Sequence, residues 1–120
     1  MIMQLQPTAA AYVRSINDHD PAAFNALFAD DAVVKDIGRE FRGPLAIKDW
    51  STREIFDVQV TVEVINAAHR DGKTVLTAKV DGTFDRTGLP DPLILEHDLT
   101  VEGDKIVGLT CRLAGEKPRT

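Results

Sequence analysis

FADDAVVKDIGREFRGPLAIKDW, residues Phe28 to Trp50, is the stretch from which the rest of the chain can be placed. It reads as a helix end, an acidic turn at Asp30-Asp31 and a short strand Ala32-Val33-Val34 that delivers Asp36. A glycine-punctuated excursion follows (Gly38, Gly43), then a helix opened by Pro44 that carries Trp50, the only tryptophan of the chain. A carboxylate at the end of an apolar strand, followed by a helix bearing a large aromatic, predicts a lined cavity rather than a solid core.

Upstream lie two helices. Pro7-Thr8 reads as a helix start with Thr8 as N-cap, because a side-chain oxygen there satisfies an otherwise unpaired backbone N–H. Tyr12, Val13 and Ile16 then share one face, since positions i and i+4 stack on a helix. By spacing alone Tyr12 is a core aromatic with its hydroxyl near the surface. Asp20-Pro21 stops this helix and caps a second one, whose buried stripe is Phe24, Leu27 and Phe28.

Downstream the period changes from helical to two. Val58, Val60, Val62 and Val64 alternate with polar residues, the pattern of a half-buried strand. Asp71-Gly72 is a hairpin signal, because both positions tolerate positive φ. The returning strand sets Leu76, Ala78, Val80, Gly82 and Phe84 on one face and Thr77, Lys79, Asp81 and Thr83 on the other. After the turn-rich Asp85 to Pro92, a third strand turns Leu93, Leu95, His97, Leu99 and Val101 to one side. Gly103-Asp104 leads into a last strand with Val107, Leu109, Cys111 and Leu113 inward, and the tail GEKPRT is expected to fray. Helices followed by hairpin-joined strands make an α+β fold, helices packed on one face of a curved antiparallel sheet, in a single domain over residues 1–120.

Composition bounds the partners. The formal charge is −5 and no Lys/Arg cluster lies on one face, which argues against nucleic acid and anionic membranes. No apolar run is long enough to span a bilayer, no secretory signal is visible, and the single Cys111 fits a reducing, cytoplasmic setting. No His/Cys spacing suits a metal and no glycine-rich loop suits a phosphate, so no metal or cofactor is expected. Cys111 reads as an inert buried thiol. His97, inward between Leu95 and Leu99, is either a hydrogen-bonded core residue or a neutral imidazole that donates an N–H into a cavity.

The helix with Tyr12, the phrase FADDAVVKD, the entry Gly43-Pro44-Leu45-Ala46-Ile47 and the closing EHDLTVEGDKIVGL together resemble the nuclear-transport-factor-two-like superfamily, which includes ketosteroid isomerases and SnoaL-like polyketide cyclases. The resemblance covers nearly the whole chain. It implies a cone: a curved antiparallel sheet wrapped around about three N-terminal helices, a pocket between them, and commonly a homodimer. It places Asp36 at the isomerases' catalytic base and Tyr12 at their oxyanion-hole tyrosine. His97 falls where they use a protonated Asp as second oxyanion donor, a departure from the steroid isomerases in the geometry and acidity of that donor. Trp50 resembles their pocket-lining aromatics, with ordinary core packing as the alternative. An epoxide-hydrolase chemistry of the limonene-epoxide type, which needs an Asp-Arg-Asp set, is disfavoured because the inward faces so assigned carry no Arg.

The reading that follows is a small protein that binds an apolar, carbonyl-bearing molecule. If catalytic it would transfer a proton, with Asp36 as base, Tyr12 and His97 as donors, and Trp50, Phe84, Leu99, Leu109 and Leu113 shaping the pocket. The alternative is a non-catalytic ligand-binding or dimeric association module that uses its outer sheet face. Convergence of the polar atoms of Tyr12, Asp36 and His97 separates the two: where they lie apart or are engaged in structural bonds, the enzyme reading loses its basis. As a pocket residue Asp36 would be a desolvated, unpaired carboxylate whose replacement by Asn leaves stability unchanged or raised; as a cap or turn residue, the usual role of a strand-end Asp, its replacement would show a clear loss of stability.

Overall fold

The computed structural model describes residues 5–114, so the frayed-tail expectation falls outside the described residues. Helix α1 spans Pro7–Asn17. Its cap is Gln6 rather than Thr8: Gln6 Oε1 accepts the Ala9 N–H at 2.9 Å, and Pro7 takes the first helical position, where its missing N–H is no loss. The Thr8 hydroxyl instead donates to the Asp104 carbonyl at 3.3 Å. Ala9, Tyr12 and Ile16 form the buried face of α1. Helix α2, Pro21–Ala26, is capped as expected by Asp20, whose carboxylate accepts from Ala23 N at 3.1 Å. It buries Phe24 and ends before Phe28, which opens a strand instead of closing the helical stripe.

That strand, β1, runs Phe28–Asp36, so Asp30 and Asp31 are exposed strand residues and not a turn. A register shift between Phe28 and Val33 absorbs them. Ile37 (φ 42°) and Gly38 (φ 82°) then reverse the chain into β2, Arg39–Arg42, a paired strand in place of the expected glycine-punctuated excursion. Both positive φ angles identify the mirror-image hairpin turn whose twist matches paired strands. Helix α3, Gly43–Ser51, carries Trp50 and passes into a π-helical turn over Thr52–Phe56. The remaining strands are β3 (Thr61–Arg70), β4 (Lys73–Asp81), β5 (Ile94–Glu102) and β6 (Lys105–Leu113). β3 begins later than its valine alternation predicts, because Val58 and Val60 are tied to Thr83 and Ile55 through backbone bonds before the ladder starts. Asp71 and Gly72, both at positive φ, make the predicted hairpin.

The fold is α+β, with one six-stranded curved sheet in the order β2-β1-β6-β5-β4-β3. All pairs are antiparallel except β1–β6, which is parallel. The core joins Phe24, Phe28, Ala32 and Val34 to Leu76, Leu99, Ile106 and Leu109. A register irregularity between Thr100 and Val101 lets Ile106 point inward where alternation had assigned Val107. Among the described residues no helix is long and apolar enough to cross a membrane.

Candidate functional site

One rung of the sheet organises the site. Asp36 pairs with Cys111, Cys111 with His97, and His97 with Leu76. Side chains alternate strictly along a strand, so this rung presents its members to the same face of the sheet. Asp36, His97 and Cys111 line a cavity of about 270 Å³ together with Tyr12 from α1 and Trp50 from α3. The next rung, Val34–Leu109–Leu99, belongs to the solid core. This corrects two assignments: Leu99 and Leu109 are fully buried in the core and do not line the cavity, whereas Phe84 and Leu113 do. Periodicity placed all four inward, and only the closing of the cone decides which rungs meet helix and which meet space.

Tyr12 and His97 form a buried pair, with the hydroxyl 2.8 Å from Nδ1 and the rings edge to face. The expected surface position of the Tyr12 hydroxyl is therefore wrong. Burial pushes the Tyr12 phenol well above its usual range and lowers the His97 imidazole to about 4, so both are neutral at pH 7. Neutral, they hold two polar hydrogens between them, and their mutual bond uses one. Either Tyr12 donates to Nδ1 and Nε2 keeps its hydrogen, or Nδ1 donates to the phenol oxygen and the Tyr12 hydrogen stays free. In both cases a single donor remains, and His97 Nε2 has no partner among the described residues. Cys111 Sγ lies 3.8 Å from Nδ1, and burial first, then the Asp36 charge, pushes its thiol upward, which makes it the inert thiol its position suggested.

Asp36 stands apart from that pair in its hydrogen bonding. Its Oδ2 accepts from Trp50 Nε1 at 3.0 Å and from Arg39 Nη2 at 2.8 Å. Oδ1 has no protein partner among the described residues. The premise of an unpaired carboxylate is thus overturned, and so is the ground that no arginine faces the cavity. Arg39 sits opposite Asp36 across the β1–β2 hairpin, and directly paired residues share a face. It also bonds Glu54 of the π-helical turn, Nη2 to Oε1 at 3.1 Å and Nη1 to Oε2 at 3.3 Å. That pairing holds the Glu54 carboxyl below the usual carboxylate range and raises Arg39 further. Arg39 and Glu54 both line the cavity and were missed. The residues REFR are too short and too charged to show a period, and Ile-Gly is not among the usual hairpin dipeptides. The remaining wall is largely apolar, with Ile16, Ile55, Val60, Val62, Val80, Leu93 and Leu95.

The SnoaL-like domain model matches residues 9–109 of the chain. No match to a curated protein was found at the sequence level. Among solved structures, a Sinorhizobium meliloti protein provisionally named a polyketide cyclase is 26% identical over 90% of this chain and 95% of its own, with a TM-score of 0.80. A Catenulispora acidiphila protein of ketosteroid isomerase-like fold, solved with trimethylamine, is 22% identical over 91% and 86%, TM-score 0.76. The Δ5-3-ketosteroid isomerase of a Mycobacterium species shares the fold at 18% identity over 88% and 89%, TM-score 0.71.

Proposed function

The chain belongs to the SnoaL-like domain family, and from that premise we propose that its cavity binds a small, apolar, carbonyl-bearing molecule and moves a proton on it. The observation that carries this reading is that Asp36, a carboxylate with one unbonded oxygen, and Tyr12 and His97, a neutral pair with one hydrogen left over, all line a single, mostly apolar cavity. Asp36 Oδ1 takes a proton from the carbon next to the carbonyl. The electron pair left behind forms the enolate, whose oxygen accepts the free donor of the Tyr12–His97 pair. Return of the proton at another carbon completes an isomerisation; attack of the enolate carbon on a second carbonyl, whose π electrons move to its oxygen and take up the proton held by Asp36, completes a cyclisation. Trp50 and Arg39, holding Oδ2, fix the carboxylate plane, while Phe84, Leu113 and the Trp50 ring exclude water. A neutral His97 suits this role, because burial without a charged partner leaves its ring uncharged, so it can act as a hydrogen-bond donor without becoming an imidazolium.

The test is deuterium incorporation from D2O into a panel of cyclic ketones and enones, followed by proton NMR. Exchange above the buffer rate is expected for at least one member. Asp36→Asn should reduce it by roughly 10²–10⁴-fold while a phenol, which mimics the enolate, still binds. A protein that binds the phenol but exchanges none of the panel would move the assignment to the non-catalytic alternative.

We further propose a cytoplasmic homodimer that pairs through the outer sheet face, where Ile65 is 48% exposed. Light scattering should give twice the 13.2 kDa chain mass.

A further inference from the structure

Arg39 divides its guanidinium unequally. Glu54 receives the fork, both Nη atoms on both carboxylate oxygens, whereas Asp36 receives one bond from Nη2 on Oδ2. A guanidinium beside a lone carboxylate favours the opposite arrangement, because its parallel donors match both oxygens of one carboxylate. Asp36 is the less exposed of the two acids, its side chain 14% exposed against 36% for Glu54, so Arg39 would gain more by clamping it. The π-helical turn is what prevents this. It carries Glu54 to the cavity rim one turn after Trp50, with Ile55 buried beside it. Stability alone gives little reason for the Arg39–Glu54 pair, since ion pairs this exposed contribute about 0–1 kcal/mol.

We propose that Glu54 is a positioning residue for Asp36: by occupying the fork of Arg39 it limits Asp36 to a single guanidinium bond and keeps Oδ1 open to the cavity. The role of Oδ1 as base rests on the proton-transfer reading above; the restraint itself does not, and it can be measured without a substrate. Without Glu54, Arg39 turns its fork onto Asp36, engages Oδ1 as well as Oδ2, and holds the carboxylate in its charged, less basic form.

The experiment is a carbon-13 NMR titration of the Asp36 carboxyl in the full chain, its resonance assigned with Asp36→Asn, across a two-by-two set of Glu54→Gln and Arg39→Gln. Glu54→Gln should lower the Asp36 midpoint by about one unit, the size of effect expected from a tightened arginine contact. In the Arg39→Gln background the same change should lower it by clearly less, through loss of a nearby like charge alone. An unchanged midpoint in Glu54→Gln overturns the proposal. A shift of equal size in the Arg39→Gln background also overturns it, because Glu54 would then act directly through space. If the coupling is found and the deuterium exchange assay stays silent for the parent protein, the restraint stands and the proton-transfer reading fails. Where exchange is measurable, Glu54→Gln should lower kcat with its acid limb moved in step with the Asp36 midpoint.

Discussion

At the scale of single residues, Asp36 and His97 carry opposite lessons about burial. Asp36 is paired, but its partner Arg39 is half-exposed, so the pair is screened and adds little to stability. In Asp36→Asn the amide oxygen can still accept the Trp50 N–H. Urea denaturation at pH 7 should therefore show a loss of less than about 1 kcal/mol, and a loss of several kcal/mol would make Asp36 a structural residue. His97 is paired only with neutral groups, Tyr12 and Cys111, and Asp36 is not among its hydrogen-bond partners. Its folded value of about 4 lies below the unfolded one near 6.5. The unfolded chain then binds more protons between those values, so the native state loses stability as pH falls from about 6.5 toward 4, and the loss levels off below that. Full development of this effect is on the order of 3 kcal/mol, and His97→Gln should lack it when urea curves at pH 7 and 4.5 are compared. An NMR midpoint for the His97 ring well above 6.5 would exclude the neutral-donor role.

Among the elements, the β1–β2 hairpin is the least expected and the most strained. Ile37 is β-branched yet holds φ at 42°, a conformation costing about 1–2 kcal/mol for an L-residue with Cβ. Its side chain is half-exposed and lines the cavity beside Asp36, the kind of place where strain is retained for a local purpose. Ile37→Asn converts the turn to Asn-Gly. Thermal denaturation should show a gain on the order of 1 kcal/mol, and phenol binding should weaken as an apolar wall is lost. Unchanged stability would mean that the turn is not strained. The same hairpin shows where sequence reading stops. The proline-started helices, the Asp71-Gly72 turn and the alternating strands were legible because each announces itself within a few neighbours. Asp36, His97, Trp50, Phe84 and Leu113 reach the cavity from such elements, whereas Tyr12, whose hydroxyl spacing alone puts near the surface, is placed there only by the family resemblance, which also supplies the roles. Arg39 and Glu54 reach it through a four-residue strand and a π-helical turn, neither of which has a period. Leu99 and Leu109 carried the right pattern, but alternation reports which face a side chain takes and not whether that face meets a cavity.

For the whole molecule, the parallel contact between β1 and β6 has a kinetic consequence. Strands β3 through β6 are joined by antiparallel neighbours in chain order, so each can pair with the one just made. β1 has no such neighbour on that side: its partner is the last strand, and closing so long a loop costs entropy before any contact compensates. The β3–β4 hairpin should accordingly be formed in the folding transition state and the β1–β6 seam should not. In stopped-flow chevrons, Val80→Ala on β4 should slow refolding, while Val34→Ala on β1 should mainly accelerate unfolding. Slowed refolding in Val34→Ala with unfolding unchanged would reverse that order. On this route the sheet that carries His97 and Cys111 is assembled before the strand bearing Asp36 docks against it. The acid thus joins a wall already built, and a chain caught on the way would hold the donor side of the cavity without its carboxylate.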